Sequence, residues 1–157
     1  MMSAAVQSDS YDALRLLLVE DNPGDVILVK RALKRVNPAI DVAHAGTAEA
    51  ALDVLAEDPN GFDLMLLDLN LPNMHGLDLL KRVKSEAWLR KMPVIVLSSS
   101  NAPEDVSQSY AAHANGYIVK PMGMGDYDRL ARFINDSWFG VMERPPVMPS
   151  EAGDSLN

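Results

Sequence analysis

The chain has no cysteine, which excludes disulfides and thiolate metal sites and fits a soluble protein of the cytoplasm. No apolar run approaches the roughly 20 residues that cross a bilayer. The N-terminus lacks the basic and apolar segments of a secretory signal. Positive charge is also scarce: 14 Lys and Arg stand against 22 Asp and Glu, a formal charge of -8. Sequence-independent nucleic-acid binding needs a basic face to displace counterions. Neither a nucleic-acid partner nor a membrane is therefore expected. No internal repeat is visible, and 157 residues make one domain with room for a proper core.

What is present is a regular alternation of apolar runs and helical patterns. Residues 1–12 are small, polar and aperiodic, and read as a flexible N-terminal tail. The ordered domain is expected over 13–142, and a Pro- and Ser-rich tail over 143–157. Leu14–Val19 reads as a first strand. Glu20-Asp21-Asn22-Pro23-Gly24-Asp25 is a turn in which Asp25 is expected to cap a helix running to Val36. Ile40–Ala45 is a second strand. Thr47 caps a second helix with Ala51, Leu52 and Leu55 on its inner face. Leu64–Leu67 is a short, wholly apolar third strand that runs into Asp68 and the turn at Pro72. After Gly76, a helix from Leu77 to about Ser85 points Leu77, Leu80 and Val83 inward. Val94–Leu97, a helix over about Pro103–His113, Tyr117–Val119 and a last helix over about Asp126–Trp138 complete the pattern. Five βα alternations define an α/β fold, a doubly wound parallel sheet, with strand order 2-1-3-4-5.

Open sheets of this kind keep their chemistry at the carboxyl edge. Glu20-Asp21 and Asp68 end the first and third strands, so three carboxylates converge there. Like charges a few ångströms apart resist ionising together, and a hard cation such as Mg²⁺ resolves the conflict with oxygen ligands. The fourth strand adds the Ser98 hydroxyl and the fifth the Lys120 ammonium. Carboxylates, cation, hydroxyl and ammonium together suit a phosphoryl group, with Asp68 as the nucleophile that forms an acyl phosphate. Taken singly, each of these residues is an ordinary loop residue. Their joint placement at separate strand ends is what carries the reading.

This combination resembles the receiver domain of two-component response regulators, a flavodoxin-like fold. The resemblance spans roughly Leu14–Phe139 and rests on Glu20-Asp21, Asp68 within Leu66-Leu67-Asp68-Leu69-Asn70-Leu71-Pro72, Gly76, Ser98 and Lys120-Pro121. It implies that Asp68 accepts a phosphoryl group from a sensor histidine kinase. It further implies Mg²⁺ on Asp21, Asp68 and the Asn70 carbonyl, with Glu20 acting through water. Ser98 and Tyr117 would move together as the switch, Lys120 would contact the phosphate, and the bond before Pro121 would be cis. Asn70 and Ser100 would flank the path of the hydrolytic water and tune the acyl phosphate's lifetime. His75 stands where Asp is common and is expected to be an exposed loop residue rather than a ligand.

Glu20–Asp25, Leu97–Asn101 and Trp138-Phe139-Gly140 also resemble the small regulators that accompany bacterial phytochromes. Those are stand-alone receivers, and too few residues follow Gly140 for an output domain. A phosphoacceptor rather than a classical enzyme is thus expected. An Asp-nucleophile phosphatase of the haloacid-dehalogenase type is the alternative, but it needs an acid where Asn70 stands. A flavin-binding flavodoxin would need a phosphate loop in place of the acidic turn at Glu20-Asp21. The last helix carries Tyr127, Leu130, Ala131, Phe133, Ile134 and Trp138, then Phe139, too many for one inner stripe. Some should face outward beside Met122 and Met124. A homodimer with Trp138 and Phe139 at its interface is expected.

Overall fold

The computed structural model describes residues 14–123 and 125–140, with the Phe139 side chain outside it. Met124 and both expected tails also lie outside the described residues. The elements are β1 (Leu14–Val19), α1 (Pro23–Val36), β2 (Ile40–Ala45), α2 (Ala48–Glu57), β3 (Leu64–Leu67), α3 (Gly76–Ser85), β4 (Val94–Ser98), α4 (Pro103–Ala111), β5 (Gly116–Val119) and α5 (Gly125–Ile134), which continues as a π-helix over Asn135–Gly140.

All strand pairs are parallel, and the order is β2-β1-β3-β4-β5. The central strand β3 is apolar throughout, and β1 and β4 are largely so, because helices cover both faces. Side chains alternate across the sheet. Leu17, Val19, Met65, Leu67, Val94 and Val96 meet α2 and α3 through Ala51, Leu55, Leu79, Leu80 and Val83. Leu16, Leu18, Leu64, Leu66, Ile95 and Leu97 meet α1 and α5 through Val29, Leu33, Leu130 and Ile134. The core thus consists of two layers separated by one sheet, and it leaves only the strand ends free for chemistry.

Several local expectations change. Asn22, not Asp25, caps α1: its side chain accepts the Asp25 N–H at 3.0 Å, and Pro23 opens the helix. Proline suits that position because its missing N–H would be unpaired there anyway. The Asp25 carboxylate is thereby left free. His75 caps α3 in the same way, its Nδ1 accepting the Leu77 N–H at 3.1 Å. Leu79 rather than Leu77 is fully buried on that helix. All peptide bonds among the described residues are trans, Lys120–Pro121 included. Trans is the intrinsically favoured isomer by about 0.5–1 kcal/mol.

The α-helical part of α5 ends at Ile134, short of Trp138. The change to i→i+5 bonding alters the angular step of the helix, and Trp138 is half-buried against the α1–α5 layer. The large apolar side chain that faces out from α5 is Phe133, 53% exposed. Trp138 is therefore a core-packing residue, a correction to its expected outward placement.

Gly76 is fixed by close approach. A Cβ there would lie 2.2 Å from the Asp68 carbonyl oxygen and 2.6 Å from the Leu69 Cα. Both are backbone atoms and cannot swing aside. The Gly76 N–H also donates to the Leu69 carbonyl at 2.9 Å, which ties the start of α3 to the end of β3. Gly76→Ala should therefore destabilise the fold by roughly 1–3 kcal/mol, the usual cost of overpacking, seen as a lower urea midpoint. A variant as stable as wild type would show that this contact relaxes freely.

Candidate functional site

Three residues of the site are the first past their strands, yet remain in the ladder. The Glu20 N–H donates to Ala45 at 3.0 Å, that of Asp68 to Val19 at 3.0 Å, and that of Lys120 to Ser98 at 2.8 Å. The sheet thus holds these backbones as firmly as its interior. Glu20, Asp68 and Ser98 are buried, while Asp21 is exposed. Carboxylate oxygens of Glu20, Asp21 and Asp68 all lie within 4.8 Å of one another.

Lys120 is the cation of this cluster. Its Nζ lies 2.8 Å from Asp25 Oδ2, 2.9 Å from Glu20 Oε1 and 3.6 Å from Asp68 Oδ2. Burial works against its charge, but the hydrogen bond to Asp25 and the close negative charges of Glu20 and Asp68 outweigh that and raise its pKa above the ordinary lysine value. Burial, reinforced by the Asp68 charge, raises Glu20 from 4.5 to about 7 in spite of Lys120. Glu20 Oε2 accepts the Asn22 N–H at 3.2 Å. Oε1 is within charge contact of Lys120 but lacks a well-aligned hydrogen bond. A buried, under-satisfied carboxylate beside two others is a donor set that fits a hard divalent cation.

Glu20, Asp21, Asp25, Asp68, Asn70 and Lys120 line one open cavity of about 570 Å³, together with Ser99 and Tyr127. Ser98 is wholly buried beside it. The Ser98 oxygen accepts the Ser100 N–H at 3.1 Å, and its own hydrogen remains to be donated. Tyr117 lines an adjoining groove with Phe133, and its hydroxyl donates to the Ser100 carbonyl at 2.7 Å. The backbone of Ser100 thus connects Ser98 to Tyr117. The Ser100 hydroxyl is turned toward α4, donating to Asp105 and accepting the Ala102 N–H. Asn70 faces the cavity, whereas Ser100 does not line it.

Two site residues escaped the sequence reading. Asp25 binds Lys120, and the Tyr127 hydroxyl donates to the other Asp25 oxygen at 3.4 Å. Burial and the Asp25 charge raise the Tyr127 pKa, which keeps it a donor. The only signal for Asp25 was its place in the acidic turn, where helix capping was the simpler account.

A buried carboxylate at a parallel-strand end, flanked by an acidic pair, a hydroxyl and a lysine, defines a phosphoryl-accepting α/β module. The chain belongs to the response regulator receiver domain family, which it matches over residues 16–132. It is similar to the response regulator Rcp1 of Synechocystis, 33% identical over 135 residues, covering 83% of this chain and 92% of that protein. The structure of Rcp1 in its Mn(2+)-bound form superposes with a TM-score of 0.73. The probable methanogenesis regulatory protein FilR2 of Methanothrix harundinacea is 33% identical over 141 residues, 87% of this chain and 91% of that one. The phosphorylated cyanobacterial phytochrome response regulator RcpA is 33% identical with a TM-score of 0.75, over 80% of this chain and 94% of that one.

Because Glu20 titrates higher in the fold than the ordinary 4.5, the native state binds more protons between pH 4.5 and about 7. Stability of the cation-free protein should therefore fall as pH rises through that window. Glu20→Gln should remove the slope and stabilise the protein at pH 8 by on the order of 1–3 kcal/mol, measured by urea unfolding in EDTA. Parallel pH profiles for variant and wild type would contradict this.

Proposed function

We propose that Asp68 is the phosphoacceptor of a two-component signalling switch. The carrying observation is its burial in the cluster formed by Glu20, Asp21, Ser98 and Lys120. An Asp68 carboxylate oxygen attacks the phosphorus of a kinase phosphohistidine. A new O–P bond forms, the P–N bond breaks, and the imidazole leaves with the electron pair and takes up a proton. Lys120 contacts a phosphoryl oxygen, and Ser98 donates its free hydrogen to another. Asp21, Asp68 and the Asn70 carbonyl would hold Mg²⁺, with Glu20 acting through water. When bound, the ion neutralises charge on the transferring group.

The chain is read as a phosphoacceptor that assists its own phosphorylation and dephosphorylation, acting in the cytoplasm. Asn70 supplies an amide where a haloacid-dehalogenase phosphatase needs an acid, which weighs against that alternative. The partner is a sensor histidine kinase. Similarity to RcpA and the motifs at Glu20–Asp25, Leu97–Asn101 and Trp138–Gly140 support one of phytochrome type. The Ser98–Ser100–Tyr117 link supports transmission to the groove of Tyr117, Val119, Leu130 and Phe133. Val119 and Phe133 are exposed there, and Met122 close by. An isologous dimer across this face would cover them.

Asp68→Asn should abolish phosphate incorporation from acetyl phosphate, because an amide is not a carboxylate nucleophile. Labelling of that variant at the wild-type level would overturn the assignment. For association, Phe133→Ala should shift a dimer toward monomer in sedimentation velocity without loss of phosphorylation, since aromatic anchors dominate interfaces. Wild type that sediments as a monomer at micromolar concentration, with and without beryllofluoride, would sink the dimer.

A further inference from the structure

Lys120 has three anionic neighbours, and they are not equivalent. Glu20 and Asp68 belong, with Asp21, to the carboxylate cluster that suits a cation. Asp25 does not, although it is the nearest of the three to Nζ, at 2.8 Å. A cation held by the cluster draws on the charge of Glu20 and Asp68 and leaves Asp25 as the remaining anion for Lys120. Asp25 is also held from behind. Its position in the first turn of α1 is set by the Asn22 cap, and its second oxygen accepts from Tyr127 on α5. The side chains of Lys120 and Asp25 are 13% and 26% exposed, so water screens their attraction only in part.

We propose that Asp25 is a positioning residue that holds the Lys120 ammonium in the unphosphorylated state and competes for it with the phosphoryl group. This rests on the reading of Asp68 as phosphoacceptor. A phosphoryl group shifts the switch only through interactions that differ between its two states. The Asp25–Lys120 pair is such an interaction, made before phosphorylation and given up when Lys120 moves to a phosphoryl oxygen. Asp25 therefore sets how strongly a phosphoryl group must pull, and its release changes the pairing of Tyr127. The strand-end lysine is thereby coupled to α1 and α5, and α5 also lines the Tyr117 groove through Leu130 and Phe133.

Beryllofluoride, a phosphoryl mimic, titrated in Mg²⁺ buffer reads this competition. Asp25→Asn keeps the shape and removes the charge. It should lower the half-saturating beryllofluoride by about fivefold, at the small end of typical coupling between sites. Tyr127→Phe, which loosens Asp25 without changing charge, should act in the same direction and less. The Lys120 Nζ resonance should differ between wild type and Asp25→Asn in the free proteins and coincide once beryllofluoride is bound. An unchanged or raised half-saturation would overturn the proposal, as would a difference in the Lys120 resonance that persists in the bound forms. Wild type that fails to respond to beryllofluoride would instead overturn the phosphoacceptor reading, and this inference with it.

Discussion

The site depends on several carboxylates sharing one lysine. Glu20, Asp25 and Asp68 surround Lys120 Nζ, and Asp21 stands beside them with no lysine contact of its own. Such a cluster would loosen by repulsion if its backbones could move. They cannot, because the Glu20, Asp68 and Lys120 N–H groups are bonded into the parallel ladder. The sheet therefore holds an electrostatic conflict that the side chains alone do not resolve. Burial, with the Asp68 charge adding to it, accordingly raises the pKa of Glu20. A divalent cation has the chemistry to relieve part of the conflict, since it takes oxygen ligands and brings opposite charge.

Rigidity and response are divided between elements. The two packed layers on either side of the sheet are apolar and fix the anchor points. The polar contacts sit at the carboxyl edge, where the Ser100 N–H donates to Ser98 and the Tyr117 hydroxyl donates to the Ser100 carbonyl. Gly76 marks the boundary between the two, since the backbone at Asp68 approaches it too closely for any side chain. The α3 helix thus buttresses the strand that ends at Asp68 from one side. On the other side, Asn22 caps α1 and so presents Asp25 to Lys120.

Much of this architecture was legible from residue order. The run Leu64–Leu67 could only be a strand covered on both faces, and its register with β1 sets Asp68 beside Glu20. Apolar runs and turn residues placed five strands, the βα alternation implied their order, and the strand ends named Glu20, Asp21, Asp68, Ser98 and Lys120. The errors fell where two local rules compete. Asp25 and Asn22 are both good caps, and only the Pro23 position decides between them. Leu77 does pack against the core, but the more deeply buried Leu79 emerges only when a sheet is packed against the helix. Trp138 looked outward-facing because a regular α-helix was extended to it, whereas the backbone widens into a π-helix after Ile134.

The sequence by itself determined the alternation of strand and helix and the identity of the charged residues at the strand ends, because periodicity and turn chemistry are local. Tertiary structure alone decided the partnerships. Asp25 meets Lys120, and Tyr127 meets Asp25, across separations of 95 and 102 residues. Those contacts exist because α1 and α5 pack side by side on one face of the sheet. No local pattern encodes that two helices so far apart in the chain will share a surface. It follows from burying both apolar stripes against β1, β3 and β4, and the pairing of their polar ends is a consequence of that burial.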